Sequence, residues 1–257
     1  MIRLLLPLLT VAFLVTFWEF AVNFWEIRPT ILPAPSRILE QAWIYREPLL
    51  EHTQATLTVT LIGFGCSLLF SWAVAIACDF SKVLRLAITP LLVASQTIPL
   101  IVIAPLMIIW FGFGLLPKIL LVILVTFFPT TLGLIEGLAS SPQSKLQLVH
   151  SMGARRFKTF WYLRLPHALP AFFTALRIAI TYAVVGAIFA EYAGAKYGLG
   201  VFMAVQKNAF RTDLVLAGVF VTALLSVSLF SLVYLAQRIL APWSLKQKPE
   251  TGSVFGG

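Results

Sequence analysis

Charged residues are scarce in this chain. Asp, Glu, Lys and Arg make up only 11% of its 257 residues, whereas apolar residues make up 60%. A soluble globular domain carries about 25% charged residues, so this composition excludes one. The sequence therefore predicts an all-α polytopic membrane protein, with room for about six spans of ~20 residues.

Cysteine and histidine are also rare. Cys66 and Cys78 fall in one predicted helix, where a rise of ~1.5 Å per residue holds them roughly 18 Å apart, beyond disulfide reach. The three histidines are scattered and form no Cys–His pattern with metal-ligand spacing. We therefore expect two packing cysteines and no metal site.

The sequence lacks the motifs of several kinds of chemistry. Without Gly-x-x-x-x-Gly-Lys-Ser/Thr, the chain is not expected to hydrolyse ATP by that route. It also lacks His-Glu-x-x-His and Gly-x-Ser-x-Gly, which argues against an intramembrane enzyme. The net charge of +9 is distributed among loops rather than gathered on one face, so nucleic-acid binding is not expected.

Six apolar runs predict the spans. The first is expected to be an uncleaved span rather than a secretory signal peptide, because no small-residue cleavage pattern follows it. The distribution of Lys and Arg places both termini and the loop 139–166 in the cytosol. We interpret residues 1–243 as one transmembrane domain and 244–257 as a disordered cytoplasmic tail. The predicted spans are residues 4–25, 55–78, 86–111, 118–138, 168–192 and 214–240.

A short helix is predicted over residues 37–47, in the first connection on the outside. Ser36 is the expected N-cap. An apolar side, with Trp43 and Tyr45 beside it, predicts a helix at the membrane interface, where aromatic residues concentrate. Receptor docking is the alternative role.

The third predicted span contains polar residues beside prolines. Pro99 and Pro105 interrupt helical hydrogen bonding, so the sequence predicts a kinked helix that faces a cavity. Ser95, Gln96 and Thr97 are therefore candidates for the translocation path. Hydrogen bonding between helices is the alternative.

Other residues near the predicted span ends carry three further predictions. Gly133 and Gly137 form a small-xxx-small pair suited to close helix packing. Glu136 and Arg177 either form an ion pair or extend separately towards the headgroups. Glu191, just before a glycine cluster, is placed near the outer mouth, where it contacts substrate, pairs with Lys196 or shapes the mouth.

A basic segment at residues 139–166 interrupts the apolar chain. Pro142 favours a helix start, Gly153 divides the segment, and Pro166 lies near its end. Apolar residues recur at near-helical spacing before the glycine. The segment therefore predicts a short helix, a glycine bend and a second short helix that ends near Pro166.

This segment resembles the cytoplasmic coupling loop of binding-protein-dependent ABC importer permeases. That family's pattern is Glu-Ala-Ala, three residues, Gly, nine residues and Ile-x-Leu-Pro. Here the corresponding residues are Gln147-Leu-Val-His-Ser-Met-Gly153 and, nine residues later, Leu163-Arg-Leu165-Pro166. The acidic residue is missing at Gln147, so no salt bridge from it to an ATPase is inferred.

Further motifs resemble the nitrate, sulfonate, taurine and thiamine-precursor branch of that family, and together they cover nearly the whole chain. They are Leu32-Pro-Ala-Pro-Ser36, Gln96-Thr-Ile-Pro99 with Ala104-Pro105, Trp110-Phe-Gly-Phe-Gly114, and Ala190-Glu191 with Tyr197-Gly-Leu-Gly200.

The resemblance implies a type I importer permease in the bacterial inner membrane, with no cofactor of its own. Its partners would be a second permease copy, two ATPase subunits that use ATP, and an extracytoplasmic binding protein. The substrate would be a small organic solute or anion, of which a thiamine-pyrimidine-like compound is favoured. A secondary transporter or channel is the alternative function, although no inverted repeat is evident. The residues that would contact the ATPase are Gln147, Leu148, Val149, His150, Gly153, Ala154, Leu163, Leu165 and Pro166.

Overall fold

The computed structural model describes residues 2–245, and within that part every regular element is helical. A π-helical turn, Phe160–Arg164, joins α8 to α9, and a 3₁₀ turn, Pro242–Leu245, follows α11. The predicted tail begins at this 3₁₀ turn, and residues 246–257 of it lie outside the described residues. The helices are Ile2–Phe24 (α1), Pro35–Ile44 (α2), Arg46–Phe80 (α3), Lys82–Ser95 (α4), Leu100–Phe111 (α5), Leu115–Ala139 (α6), Gln143–Ser151 (α7), Arg156–Thr159 (α8), Leu165–Tyr192 (α9), Leu199–Asn208 (α10) and Thr212–Leu240 (α11).

Five of these helices are long and apolar enough to cross a membrane, and α4 with α5 makes a sixth, broken span. The predicted all-α fold with about six spans is thereby confirmed. The second span begins at Arg46, nine residues before the predicted start. Pro48 lies in the first turn of α3, where its missing N–H has no helical partner to lose. Leu49 in the same turn is buried against α10 and α11, which stabilises the extension.

The third span is broken rather than kinked. Its two halves, α4 and α5, meet at 100° across residues 96–99. Pro99 has no N–H to donate to the carbonyl of Ser95, and its ring disfavours helical geometry at Ile98. The first helix therefore ends at Ser95, and the second begins at Leu100 with Pro99 as its N-cap.

Helix α9 occupies the centre of the bundle, packed chiefly against α6 and less extensively against α11 and α3. A stripe of buried alanines, among them Ala179, Ala183 and Ala187, lets its neighbours approach closely. The predicted glycine pair is confirmed as a packing feature. A Cβ on Gly133 would overlap the methyl group of Ala175, and one on Gly137 would lie 2.9 Å from the carbonyl oxygen of Ala168.

The fifth span does not begin at residue 168, and the second loop helix does not end near Pro166. Instead the chain is helical without interruption from Arg156 to Tyr192. Pro170 has no N–H for the carbonyl oxygen of Pro166, which accepts a hydrogen bond of 3.3 Å from Trp243 Nε1 instead. The π turn just before Pro166 provides the wider backbone that a proline ring needs.

Candidate translocation path and coupling loop

Two ends of the bundle carry the residues singled out by the sequence. We call the end with residues 139–166 the loop end, and the opposite end, with residues 193–211, the mouth end. Helix α9 runs between them, from Leu165 to Tyr192.

The break between α4 and α5 exposes polar groups within an apolar span. Gln96 and Thr97 are exposed, and Ser95 is half-buried. Ser95 and Thr97 each donate a hydrogen bond to the carbonyl three residues earlier, of 2.7 Å and 2.8 Å respectively. The side chain of Gln96 is exposed at this break, and its place in the translocation path stays a prediction.

Glu191 lies at the mouth end and is completely buried. Its Oε2 accepts hydrogen bonds of 3.0 Å from the hydroxyl of Thr56 on α3 and of 3.0 Å from the backbone N–H of Gly200. Its Oε1 has no hydrogen-bond partner among the described residues. These contacts match the predicted role of shaping the mouth. The alternative pairing with Lys196 is not among the ion pairs of residues 2–245, and substrate contact stays a prediction.

Two residues close to Glu191 and the segment after it, Thr56 and His52, were not predicted from the sequence. Thr56 also accepts a hydrogen bond of 2.8 Å from the backbone N–H of Leu199, and His52 Nδ1 lies 2.9 Å from the backbone nitrogen of Gly198. A side chain at Gly198 would overlap the Glu191 carboxyl group, so only glycine fits. The glycine-rich segment after Glu191 is therefore held by these hydrogen bonds, and it leads directly into α10.

Hydrogen bonds and ion pairs attach the short helix α2 to the mouth end. Asp213 accepts hydrogen bonds from Arg37 Nε at 3.3 Å and from Arg211 Nε at 3.1 Å, and Arg211 also donates to Gln41. Hydrogen bonds with the Tyr45 hydroxyl and with Asp213 raise the pKa of Arg211, which keeps it charged.

The expected N-cap of α2 was wrong. Ala34 occupies the N-cap position and Pro35 the first helical position. Ser36 instead donates a hydrogen bond of 2.7 Å from its hydroxyl to Glu19 on α1, and its backbone N–H donates one of 3.0 Å to the same carboxylate. Pro35 fits the first helical position because its φ is already helical and its missing N–H costs no hydrogen bond there.

The loop residues 139–166 adopt the predicted first helix and glycine bend, while the second helix continues into the fifth span. Gly153 has a φ of 77°, which L side chains disfavour. Its N–H donates to the carbonyl of His150 at 2.9 Å, and the N–H of Ala154 donates to that of Val149 at 3.2 Å. This pair of bonds is a Schellman motif, and it ends α7 sharply.

The predicted coupling residues divide into two sets. One set is exposed and the other is anchored to the bundle, so the loop has an outer and an inner face. The exposed set is Gln147, Leu148, His150 and Gly153, and the buried or half-buried set is Val149, Ala154, Leu163, Leu165 and Pro166.

A short ion pair fixes the inner face. Arg164 Nη1 lies 2.6 Å from Asp79 Oδ1, near the end of α3. One turn away, the rings of Phe160 and Phe80 approach with centroids 5.9 Å apart. The loop is therefore attached to the second span as well as to the fifth.

The predicted ion pair between Glu136 and Arg177 is not formed. The ion pairs among residues 2–245 are those of Asp213 and Asp79 already described. Arg177 Nε lies 3.4 Å from the carbonyl oxygen of Phe173, one turn back towards the loop end. Extension of either side chain to the headgroups stays a prediction. Its guanidinium also lies 5.9 Å from the ring centre of Phe230 on α11.

A broken span, a rigidly attached helical loop and a six-span bundle together define an ABC importer permease subunit of type I. Residues 67–246 match the family described as "Binding-protein-dependent transport system inner membrane component". The chain belongs to this family, whose members are transport components rather than enzymes.

Relatives cover almost the whole chain. It is 35% identical over 95% of its length to a "Probable ABC transporter permease protein" of Haemophilus influenzae, covering 99% of that protein. It is 35% identical over 94% of its length to the "Formylaminopyrimidine transport permease protein ThiX" of Halalkalibacterium halodurans, covering 96% of it. It is 33% identical over 91% of its length to the "Taurine transport system permease protein TauC" of Escherichia coli, covering 88% of it. These matches agree with the branch predicted from the sequence motifs.

Solved structures share the fold. A chain of an amino acid ABC transporter aligns with a TM-score of 0.64 at 15% identity, over 77% of this chain and 96% of that one. A chain of the MetNI methionine ABC transporter in an inward-facing conformation aligns with a TM-score of 0.58 at 18% identity, over 80% of this chain and 98% of that one. Both similarities support the type I permease fold.

Proposed function

We propose that this chain forms the translocation path of an ATP-driven, binding-protein-dependent importer and couples it to a separate ATPase subunit. The observation that carries the proposal is the two-faced loop at residues 139–166. Its outer face exposes the apolar side chains of Leu148, Met152 and Phe157 beside the charged Arg155 and Arg156. Such a mixed surface suits a protein partner better than lipid.

The inner face explains how movement of that partner would reach the path. The ion pair of Arg164 with Asp79 and the continuous helix from Arg156 to Tyr192 make the loop one body with two spans. Helix α9 alone extends roughly 42 Å, at ~1.5 Å per residue. Near the far end of α9, Glu191 accepts hydrogen bonds from Thr56 on α3 and from Gly200 at the start of α10. A displacement of the loop would therefore move both ends of the bundle, as rigid-body switching requires.

The break between α4 and α5 is the proposed position of the solute within the path. Broken helices near the middle of a span expose backbone and polar groups where a solute can bind, and irregular backbone is tolerated there only beside protein or water. Ser95, Gln96 and Thr97 provide these groups. We place Glu191 behind the path, as the support of its mouth.

The assembly we propose contains two copies of this permease, two ATPase subunits and an extracytoplasmic binding protein, with both permease termini in the cytosol. The substrate is a small organic solute or anion. The relative named as a formylaminopyrimidine permease supports the thiamine-pyrimidine-like compound favoured by the sequence, while the taurine permease shows a second chemistry among relatives of similar identity.

Purification of this chain with its co-expressed partners tests the proposal. We expect a nucleotide-binding subunit to co-purify, and we expect ATP hydrolysis in proteoliposomes to rise when the loaded binding protein is added. Uptake by the permease alone, driven by an ion gradient, would instead identify a secondary transporter or channel.

A further inference from the structure

An open groove between α6 and α9 contains charged side chains at the surface of the apolar bundle, where Glu136 is exposed and Arg177 is half-buried. The groove has a volume of about 780 Å³, and Glu136, Thr174 and Arg177 line it. Gln237 of α11 lines it too, and the carbonyl oxygen Oε1 of this buried side chain has no hydrogen-bond partner among the described residues. Neither packing nor ion pairing accounts for this collection of polar groups.

The position of Arg177 favours a groove that water can enter. Arg177 is twelve residues beyond the start of α9, which corresponds to roughly 18 Å along the helix axis. The contact of Nε with the Phe173 carbonyl carries the guanidinium only about one turn, or ~5 Å, back towards the loop end. Its contacts with the Phe173 carbonyl and with the Thr174 hydroxyl, both at 3.4 Å, use two of the five N–H donors of the guanidinium. A charge within a span needs water or polar groups for the remaining donors.

The groove continues to the loop end. A second cavity, of about 810 Å³, shares Pro170 and Ala171 with the first and is lined further along by Lys145, Tyr162 and His167. The two cavities together form a polar track along one side of α9. The exposed surface of α1 contrasts with it, because its large exposed side chains are Leu, Val and Phe.

We infer that this track is the section of the translocation path at the loop end, and that Glu136 and Arg177 select solutes carrying both hydrogen-bond donors and acceptors. The two charges are opposite but not paired, so each remains able to bind a solute group. A simple anion is attracted by Arg177 but repelled by Glu136, and for a simple cation the two effects are reversed, so they offset each other. A neutral polar or zwitterionic solute can instead interact favourably with both side chains. The inference rests on the proposed function, since it assigns a further part of the same path.

Cysteine labelling of the assembled transporter in membranes tests it. Thr174→Cys is introduced into the full chain carrying Cys66→Ser and Cys78→Ala. Two thiol reagents of similar size are compared, sulfonatoethyl methanethiosulfonate, an anion, and trimethylammonioethyl methanethiosulfonate, a cation. We expect both to label Thr174→Cys. The matched control is Leu232→Cys, exposed on α11 two residues from Phe230 and hence on a different face; we expect it not to be labelled.

Neutralising each charge in turn then separates the effect of Arg177 on labelling from that of Glu136. We expect Arg177→Gln to slow the anionic reagent relative to the cationic one by roughly fivefold, and Glu136→Gln to change the ratio by a similar factor in the opposite direction. If Thr174→Cys is as inert as the control, lipid or a second copy covers the groove and the inference is overturned. A ratio that neither variant changes overturns the selectivity. Labelling needs no ATP hydrolysis, so these results are independent of any test of transport.

Discussion

Thr56 on α3 and Glu191 on α9 form a hydrogen bond of 3.0 Å although 135 positions separate them in the chain. The same threonine hydroxyl accepts a hydrogen bond from the N–H of Leu199, the first residue of α10. One small side chain therefore joins three helices at the mouth end. The carboxylate that completes the cluster is fully buried.

Replacement of that carboxylate tests its structural role. Glu191→Ala leaves the hydroxyl of Thr56 and the N–H of Gly200 without this buried acceptor, so we expect a loss of roughly 1–3 kcal/mol of stability. Glu191→Gln keeps an acceptor oxygen and is expected to lose less. The thermal stability of the wild type, Glu191→Ala and Glu191→Gln is compared by size-exclusion chromatography of the detergent-solubilised proteins after heating. Equal thermal stability of Glu191→Ala and the wild type would contradict the prediction.

The glycine bend of the coupling loop provides a second test. Gly153 has a φ of 77° and open space around its Cα, so a substituent there strains the backbone without striking a neighbour. Valine at this φ costs about 1–2 kcal/mol of backbone strain. We expect Gly153→Val to insert and assemble but to lose the ATP hydrolysis that the binding protein stimulates.

Gly153→Asn is the matched control, since asparagine tolerates left-handed geometry, and we expect it to retain most of that stimulation. Full coupling in Gly153→Val would remove the bend from the mechanism. Failure of Gly153→Val to insert would show that this glycine acts in folding rather than in coupling.

The polar break in the third span is tested by Gln96→Leu. Loss of its amide removes a hydrogen-bonding group from the proposed path, and we expect uptake to fall by roughly tenfold, corresponding to ~1.4 kcal/mol. Ile98→Leu, at an exposed apolar position in the same break, is expected to transport normally. Unchanged concentration dependence of uptake in Gln96→Leu would exclude this side chain from the path.

The ion pair between Asp79 and Arg164 is expected to stabilise the attachment of the loop. Asp79→Ala and Arg164→Ala should each weaken both thermal stability and coupling, with an interaction energy of roughly 1–3 kcal/mol in a double-mutant cycle. The reversed pair, Asp79→Arg with Arg164→Asp, should recover part of both. Strictly additive effects of the two alanine substitutions would show that the contact contributes nothing.

Orientation in the membrane is tested by single cysteines in the background lacking Cys66 and Cys78. Ser144→Cys on α7, and Gly252→Cys in the predicted tail, should be shielded from an impermeant thiol reagent in intact cells. Lys207→Cys on α10 should react, because it lies at the mouth end. Labelling of Ser144→Cys from outside would reverse the predicted topology.

Much of the architecture could be predicted from the sequence because it depends on local properties. The length of an apolar run predicts a span, and the bend at Gly153 follows from a glycine between two short helical segments. Proline has the same local effect at Pro99, where the interruption was expected although its full extent, a bend of 100°, was not.

The tertiary structure decided which distant residues meet. The sequence alone could not place Thr56 and His52 beside Glu191, because no local pattern encodes a contact across 135 residues. It favoured Ser36 as a helix cap, yet the carboxylate of Glu19 offers that serine a stronger partner. It also left Glu136 and Arg177 as a possible pair, whereas the packing of α6 against α9 places both in one groove without joining them. Spans and bends thus follow from local hydrophobicity and backbone preference, while the contacts of Glu191 and the placement of Glu136 and Arg177 in one groove arise only when the helices pack.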